Sequence, residues 1–311
     1  MAYSRKAVEF YIKTAVPFVR LIGRLQGGGI KEAKDRSNAF KGGVLTGYFA
    51  RKYLPAVENL TQSPVTAESP ETIWQFWSGP AGKATPEIVE SSIESVRRLR
   101  GDFEHKALNS STIGDYSDLP GYVLDKFNKK QMDYAHFSDL LRLNLLKNHG
   151  GIWMDATCYM TDSVPECVAK QDFFVFLTGD LTGFPYSFVQ SCFIRAKKGS
   201  FLCGAWHDMC VDYWKKETKK LDYFQIHLMF KTLVSGNSIA RGLFADMPHR
   251  SEDETHLLAG GRLFDKFDGG KWEAIKKASF FQKTTYKSRG GVASASDYPD
   301  TYFARLCGGG L

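Results

Sequence analysis

The pattern of apolar positions in residues 134–159 predicts a buried helix that is followed directly by a strand. Apolar side chains between residues 135 and 149 cover most of a helix surface, which is typical of a helix buried nearly all round; they are Phe137, Leu140, Leu141, Leu143, Leu145 and Leu146. His149 followed by two glycines is a common signal for the end of a helix. In residues 152–160 alternate side chains should lie on opposite faces of the strand, so Asp155 and Thr157 are expected side by side at its carboxyl end.

Two charged residues lie inside this otherwise apolar helix. Asp139 and Arg142 are three positions apart, so they share a face and can contact each other. A buried charge is tolerated only when it is paired or bound to a ligand. The pair therefore has two interpretations, a structural ion pair and a ligand-binding pair.

The chain around this stretch alternates between predicted strands and predicted helices. Such alternation is typical of an α/β fold with a mostly parallel sheet and helices packed against it. Ligands of these folds bind beyond the carboxyl ends of the strands, where Asp155 and residues 74–77 fall. The predicted strands are 72–77, 103–108, 172–177 and 188–194; the predicted helices start at Pro86 after a Thr85 cap and near residue 119, and cover 201–216 and 223–234.

The first 70 residues carry most of the net charge. They hold eleven Lys and Arg against five Asp and Glu, a balance of +6, whereas the remaining 241 residues contribute +1. A linker rich in Thr, Ser and Pro at 61–70 predicts a boundary between a basic helical region, 1–70, and a second domain, 71–311. The basic region lacks the interleaved aromatic residues typical of nucleic-acid sites, so no nucleic-acid partner is expected.

Residues 3–25 have the pattern of a basic amphipathic helix. Apolar residues recur at helical spacing with Phe18 and Leu25 beside them; the stripe consists of Val8, Ile12, Ala15, Val19 and Ile22. Two interpretations are open: attachment to an anionic membrane surface, or packing of the stripe on the second domain with the basic face in water. A second helical segment is predicted at 31–60, with a break near Gly42 and Gly43.

Composition restricts the class of protein. Hydrophobic residues make up 43% and aromatic residues 14% of the 311 residues, which suffices for one large core or two smaller ones. No apolar run approaches the ~20 residues of a membrane span, and the N-terminus lacks a secretory-signal pattern, so a cytosolic location is expected. The six cysteines are scattered and mostly flanked by apolar residues, which indicates reduced buried thiols and no structural metal.

Several motifs together resemble one known family. They are S-D-x-x-R at 138–142 and G-G-x-W-x-D at 150–155, with Asp155 16 positions after Asp139, and further blocks at 73–77, 222–227 and 283–287. Residues 71–287 thereby resemble the capsular polysaccharide synthesis family of glycosyltransferases, relatives of yeast outer-chain mannosyltransferases and clostridial glucosylating toxins.

This resemblance implies a GT-A type nucleotide-sugar-binding fold. It also implies transfer of a sugar, with retention of anomeric configuration, from a nucleotide-sugar donor to a saccharide or lipid-linked acceptor in polysaccharide synthesis. The alternative is a catalytically silent homologue that binds sugar or membrane as a scaffold.

The resemblance further implies roles for individual residues. Trp74 is expected to stack on the nucleotide base, Asp155 to bind the ribose and a divalent cation, and Asp139 with Arg142 to hold hydroxyls of the transferred sugar. Gln190 falls where related retaining enzymes keep a polar residue near the anomeric carbon. The further donor-side candidates are Gln75, Trp77, Ser138, Thr157, Lys283, Thr285 and Lys287, and the acceptor-side candidates are Asp222 and His227.

Thr157 departs from the family pattern. Many relatives have Asp-x-Asp at this strand end, and a hydroxyl is a poorer ligand for Mn²⁺ or Mg²⁺ than a carboxylate. Either Asp155 carries the metal with diphosphate and water, or cations such as Lys283 and Lys287 hold the phosphates from a mobile loop. Other roles stay open as well: core packing for the two tryptophans, a solvated strand for the two lysines, and N-capping of the next helix for Asp222.

Overall fold

A five-stranded sheet forms the centre of the computed structural model, which describes residues 4–66, 70–79, 83–181 and 185–309. The described strands are β1 (Thr72–Phe76), β2 (Glu104–Leu108), β3 (Gly151–Met154), β4 (Cys158–Met160), β5 (Phe173–Leu177), β6 (Val189–Ala196), β7 (Phe281–Lys283), β8 (Lys287–Ser288) and β9 (Gly291–Val292). In the central sheet, of order β2-β1-β3-β6-β5, β1 pairs in parallel with β2 and β3, and β6 pairs antiparallel with β3 and β5. Four of its five strands run in one direction, which confirms the predicted α/β fold with a mostly parallel sheet.

Helices pack around this sheet, and most of them lie where the apolar pattern predicts. They are α1 (Arg5–Leu25), α2 (Ile30–Lys52), α3 (Glu87–Leu99), α4 (Gly121–Asn128), α5 (Tyr134–His149), α6 (Glu166–Ala169), α7 (Phe201–Lys216), α8 (Gln225–Gly236), α9 (Ser238–Asp246), α10 (Gly269–Ala278) and α11 (Tyr302–Cys307). Pro86 is the N-cap of α3, so that helix begins one residue later than predicted. The central helix, α5, is buried over most of its surface, as its apolar positions indicate.

The turn from α5 into β3 requires glycine. Gly150 and Gly151 have φ angles of 71° and 100°, a conformation that side chains with a Cβ atom rarely adopt. A Cβ atom on Gly151 would lie 2.1 Å from the carbonyl oxygen of Thr72 in β1. The two glycines therefore let α5 end and β3 enter the sheet directly beside β1.

Residues 152–160 do not form one strand, so this prediction is wrong. The backbone N–H of Asp155 donates to the carbonyl of Cys192 at 2.8 Å, and that of Cys158 donates to the carbonyl of Asp155 at 2.8 Å. These hydrogen bonds close a turn, and the chain then leaves the central sheet because β4 pairs antiparallel with β7. Asp155 and Thr157 consequently lie on a turn at the sheet edge.

The predicted break at Gly42 and Gly43 is also wrong, because α2 continues through both residues. Gly42 is buried, and a Cβ atom there would lie 3.4 Å from the Tyr186 ring and 3.7 Å from Leu228. Its lack of a side chain allows close packing of α2, and the helix ends only at Lys52.

The N-terminal helices share the core of the rest of the chain. Val8 of α1 and Leu45 and Phe49 of α2 belong to the same buried apolar cluster as Ile73 of β1 and Ile152 of β3. Of the predicted linker, 61–70, residues 67–69 lie outside the described part of the structure, and Thr66 pairs with Lys198. None of the helices in the described ranges combines the length and hydrophobicity that a bilayer span needs.

Candidate active site

A cavity of about 1040 Å³ opens at the edge of the sheet where β1 and β3 end and β6 begins. Its walls come from α5, from the turn after β3, from the start of β6, and from β7. The residues used below that line it are Trp77, Ser138, Asp139, Arg142, Asp155, Thr157, Gln190, Ser191, His227, Lys283 and Tyr286. Most of the predicted site residues are thus brought together at the predicted edge, although they are distributed over more than 200 positions of the sequence.

Four charged side chains form a continuous row in the cavity wall, which we call the charge cluster: Asp139, Arg142, Asp155 and Lys283. Arg142 Nη2 lies 3.2 Å from Asp139 Oδ1 and 3.5 Å from Asp155 Oδ1. Lys283 Nζ lies 2.6 Å from Asp155 Oδ2 and donates to Thr157 Oγ1 at 2.7 Å. Positive and negative groups alternate along the row, so each charge has an opposite neighbour.

Arg142 is fixed in place by groups from three elements. Its Nη1 donates to the backbone carbonyl and the hydroxyl of Ser191 in β6, both at 2.6 Å. Its Nε donates to the carbonyl of Ser138 one turn earlier in α5, and the guanidinium lies 5.2 Å from the ring centre of Trp153 in β3. The Trp153 indole N–H in turn donates to Asp155 Oδ1 at 2.9 Å. The cluster is therefore held rigidly by the sheet and by α5.

The environment shifts the pKa of each carboxyl group in the cluster in a different direction. Burial raises the pKa of Asp155, but the charges of Lys283 and Arg142 outweigh it and hold this pKa below its ordinary value. For Asp139 burial prevails over the attraction of Arg142 and His136, so its pKa lies above the ordinary value. Asp139 is therefore the carboxyl group of the cluster that takes up a proton first as the pH falls.

Trp74 lies outside the cavity, which contradicts its predicted role in base stacking. It sits in the middle of β1, where it pairs with both neighbouring strands, and it is only 2% exposed. Its indole N–H donates to the carbonyl of Gly150 at 2.9 Å, and its ring packs on Tyr116. Trp77 lies just beyond the end of β1 and lines the cavity, edge-on to Tyr286 with 5.1 Å between ring centres.

Three further donor-side candidates are not among the described residues that line the cavity. Gln75 is fully buried, where it hydrogen-bonds His105 at 2.8 Å and donates to the carbonyl of Asp155, so it supports the turn from behind. Thr285 and Lys287 are exposed, and the Lys287 N–H donates to Thr285 Oγ1 at 3.1 Å. Their predicted contact with the donor is not supported by their positions.

The two acceptor-side candidates have different surroundings. Asp222 is buried, forms an ion pair with Lys41 at 2.5 Å and accepts from the Phe224 N–H at 2.8 Å, so it secures the start of α8. The alternative structural role is the one that these contacts favour. His227 lines the cavity, and burial together with the charge of Arg142 lowers its pKa to about 3, so its imidazole is neutral at ordinary pH.

Gln190 is held by a residue that the sequence did not reveal. Its Nε2 donates to Glu252 Oε2 at 2.6 Å, and its Oε1 accepts from the Ser191 N–H at 2.8 Å. Glu252 is only 1% exposed, although it lies in an acidic run, residues 252–254, that resembles a solvated loop. No sequence signal marked this residue, because its partner is 62 positions away.

The oxygen ligands at the turn after β3 do not fit a divalent cation, which needs several oxygen ligands in one place. Asp155 already engages both carboxylate oxygens, one with Trp153 and the other with Lys283. The Thr157 hydroxyl accepts from Lys283 as well. Within the described ranges, no three His, Cys, Asp or Glu side chains come together as a metal site.

Comparison with known proteins gives a family match over most of the chain. Residues 30–306 match the family described as capsular polysaccharide synthesis protein, a range that extends beyond the expected 71–287 on both sides. An O-glycosyltransferase, braB, of Annulohypoxylon truncatum is 26% identical over 173 residues, which are 51% of this chain and 40% of that protein. A glycosyltransferase, afumC, of Aspergillus fumigatus is 27% identical over 173 residues, which are 50% of this chain and 43% of that protein.

The chain thus spans less than half the length of these curated relatives. A solved structure, PaToxG glycosyltransferase, is similar with a TM-score of 0.39 and 13% identity, covering 67% of this chain and 83% of that one. The family match includes α2, the central sheet and every cavity residue named above. The chain belongs to the capsular polysaccharide synthesis protein family.

Proposed function

We propose that this chain is a glycosyltransferase of the GT-A type, which transfers a sugar from a nucleotide-sugar donor to a saccharide or lipid-linked acceptor. The observation that carries this proposal is the charge cluster in the wall of a cavity of about 1040 Å³. The cavity lies at the sheet edge where ligands of α/β folds bind. Its volume is sufficient for a nucleotide sugar.

The chemistry of the donor matches the groups in the wall. Cleavage of the bond between the sugar and the nucleoside diphosphate places negative charge on the leaving phosphate. Arg142 and Lys283 supply fixed positive charges, and such groups stabilise charge that develops in a transition state. Asp139 can accept hydrogen bonds from sugar hydroxyls, and Trp77 offers an aromatic surface to the base. The side chains of Asp155 and Lys283 are 25% and 23% exposed, so a ligand in the cavity can reach them.

We infer that the anomeric configuration is retained. Support comes from the family resemblance and from Gln190, whose amide is fixed in the cavity wall by Glu252. Among the described cavity residues the carboxylates are Asp139 and Asp155, and both are ion-paired. This pairing disfavours a covalent sugar intermediate on either one. Proton NMR of the first-formed product distinguishes the two outcomes, since an inverted anomer would contradict retention.

A panel of nucleotide sugars tests the glycosyltransferase proposal. We expect one or a few of them to raise the melting temperature of the full chain and to be hydrolysed slowly without an acceptor. Donors that bind but are neither hydrolysed nor transferred to any acceptor would instead support the silent scaffold. The intact charge cluster favours the enzyme.

We further infer that the protein acts at an anionic membrane surface. One face of α1 packs inward through Val8, while the opposite face exposes a stripe of large apolar side chains; these are Phe10 (69% exposed), Phe18 (62%), Leu21 (53%) and Leu25 (77%). Along one flank of this stripe lie basic residues that border a shallow groove; they include Lys13, Arg20 and Arg24. Apolar side chains beside cations are typical of helices that lie in a lipid interface. An anionic bilayer satisfies both features and would bring a lipid-linked acceptor to the enzyme.

A further inference from the structure

We propose that the ammonium group of Lys283 takes the place of the divalent cation in donor binding, so that this enzyme holds and releases the diphosphate without a metal. The inference rests on the proposed nucleotide-sugar transfer. Lys283 Nζ lies between Asp155 Oδ2, at 2.6 Å, and Thr157 Oγ1, at 2.7 Å. The family resemblance implies an acid at each of these two positions, and residue 157 carries a hydroxyl here.

Strand pairing places Lys283 beside the turn at residues 155–157, so this lysine does not lie in a mobile loop. It is the last residue of β7, directly opposite Cys158 of β4. The next residue, Thr284, donates from both its backbone N–H and its hydroxyl to the carbonyl of Thr157, each at 2.8 Å. The lysine and the two motif oxygens therefore form one rigid unit, which gives the cation a fixed position.

The balance of charge favours an anionic ligand over a second cation. The cluster contains two carboxylates and two cations, so Asp155 is already neutralised on both sides by Arg142 and Lys283. A divalent cation at Asp155 would have to displace Lys283 or approach two positive groups within a few ångström. A diphosphate brings the opposite charge, and Lys283 and Arg142 can donate charge-assisted hydrogen bonds to it.

Lysine can perform this role because its charge persists. Burial acts against the charged form, but Asp155 and its neighbours raise the pKa of Lys283 above the ordinary value. In the transfer step the bond between the anomeric carbon and the phosphate oxygen breaks, and its electron pair stays on that oxygen. The acceptor oxygen forms the new bond to the anomeric carbon, and its proton passes to the departing phosphate. Lys283 retains its own proton and stabilises the phosphate oxygen by a hydrogen bond.

The test measures nucleotide binding by the full chain with and without metal. UDP and GDP serve as probes in calorimetric titrations with EDTA, with Mn²⁺ and with Mg²⁺. We expect one probe to bind with an affinity that EDTA leaves unchanged within about twofold. Lys283→Met should weaken this binding by about ten- to hundredfold, the effect of losing a hydrogen bond to a charged group. Lys277→Met, which removes an exposed lysine on α10 that does not line the cavity, should leave the affinity unchanged and serves as the matched control.

A second pair of variants tests the substitution of metal by lysine directly. Replacing Lys283 by Met and Thr157 by Asp together restores two carboxylates and removes the cation between them. We expect this double variant to bind the nucleotide only when Mn²⁺ or Mg²⁺ is present. Lys283→Arg keeps the charge and should retain metal-independent binding, and loss of that binding in a folded Arg variant would count against a role that needs only a cation at this position.

The outcomes separate this inference from the proposed function. If the unmodified protein binds a nucleotide with Mn²⁺ but not in EDTA, Lys283 does not replace the metal, and nucleotide-sugar binding still stands. If neither probe nor any nucleotide sugar binds under any condition, both proposals fail. Should Lys283→Met not fold, the comparison of EDTA and Mn²⁺ in the unmodified protein still decides between these results.

Discussion

Asp139 is a nearly buried carboxylate at one end of the charge cluster, 3.2 Å from Arg142. If it binds the sugar of the donor, Asp139→Asn should slow transfer by at least about a hundredfold, roughly 2.7 kcal/mol of transition-state stabilisation. The melting temperature should fall only modestly, because Asn keeps the volume and part of the hydrogen bonding and removes a charge whose burial is unfavourable. Turnover and thermal melting of the variant check this together.

Asp125→Asn is a suitable control for this experiment, because Asp125 is an exposed carboxylate on the neighbouring helix α4. A purely structural ion pair would give the opposite result for Asp139→Asn. Its loss should then destabilise the fold by about 3 to 5 kcal/mol, since Arg142 would be left charged and buried, and folded molecules would retain most of their transfer activity.

Trp74 and Trp77 form a matched pair for the base-binding role. Trp77→Ala should weaken nucleotide binding by about ten- to hundredfold, the range for loss of stacking on one base, with a smaller loss of stability than Trp74→Ala because Trp77 is only partly buried. Trp74→Ala should instead lower the free energy of unfolding by about 3 to 5 kcal/mol, because a large buried ring is lost. Calorimetry and urea denaturation of both variants distinguish the two residues, and weakened binding in a stable Trp74→Ala protein would reverse the assignment.

The sequence was informative about residues whose partners are close along the chain. The spacing of Asp139 and Arg142 predicted their contact, and the structure brings them together. Trp74 could not be placed in the same way, since alternation along a strand does not show where the neighbouring strands cover it. The hydrogen bond of Gln190 to Glu252 joins segments 62 positions apart. The pattern of apolar and polar residues within either segment cannot predict that contact.

The turn between α5 and β3 allows a sharp test of why the motif has two glycines. Gly151→Ala should destabilise the fold by more than about 3 kcal/mol, because its positive φ disfavours a side chain and the new methyl group would meet the Thr72 carbonyl. Gly47→Ala is the control, since Gly47 lies exposed in α2 with open space around it. That change should stabilise the protein by roughly 0.5 to 1 kcal/mol. Equal unfolding energies for the two variants in urea would refute this explanation.

The division of residues 152–160 into β3 and β4 could not be predicted from alternation. Side chains continue to alternate in apolar character through Cys158, but the backbone of Asp155 bonds to Cys192, and β4 finds its partner in β7 more than 100 positions later. Tertiary pairing therefore ended the strand. The same pairing of β4 with β7 places Lys283 beside Asp155. The ion pair between these two residues therefore depends on the turn that the alternation did not predict.

Glu217, which follows α7, connects α1 and α2 to the rest of the chain through hydrogen bonds and ion pairs. It accepts hydrogen bonds from Tyr48 and Tyr53 at 3.0 and 2.8 Å, and it forms ion pairs with Arg5 at 3.0 Å and with Lys52. Burial opposes its charge, but these partners prevail and lower its pKa to about 2. The stabilisation is therefore complete above the ordinary glutamate pKa of 4.5 and is lost as the pH falls towards about 2.

Urea denaturation as a function of pH checks this element. At neutral pH, Glu217→Gln should lower the free energy of unfolding by roughly 2 kcal/mol, since hydrogen bonds to a charged group are lost. The difference from the unmodified protein should shrink as the pH falls from about 5 to about 3, because protonation removes the same charge. A difference that is independent of pH would show that the carboxylate charge contributes nothing.

The helices α1 and α2 belong to the same core as the sheet, although the charge of their region sets them apart in the sequence. Apolar spacing predicted a helix at 3–25 and one apolar stripe, and the structure gives α1 two apolar faces. Val8 is buried and Ile12 packs against the core, whereas Phe18 and Leu25 face outward. Periodicity detects both faces but cannot assign them, because the identity of the covering element, α2, is tertiary information. Helix α1 can therefore pack on the core through one face and expose apolar side chains on another. Because the exposed side chains can be changed without removing the helix, membrane attachment can be tested separately from packing.

The triple variant Phe18→Ser, Leu21→Ser and Leu25→Ser should reduce binding to anionic vesicles by at least about tenfold, because apolar area that would enter the lipid interface is lost. Its melting temperature should not change, since all three side chains are exposed.

Replacing Lys6, Lys13 and Arg24 by Gln should weaken vesicle binding by about 1 kcal/mol for each residue near the surface and reduce its sensitivity to salt. Leu124→Ser, at an exposed leucine on α4, is the control and should bind vesicles normally. Vesicle sedimentation measures all of these proteins, and a triple variant that sediments like the unmodified protein would show that α1 does not contact the membrane.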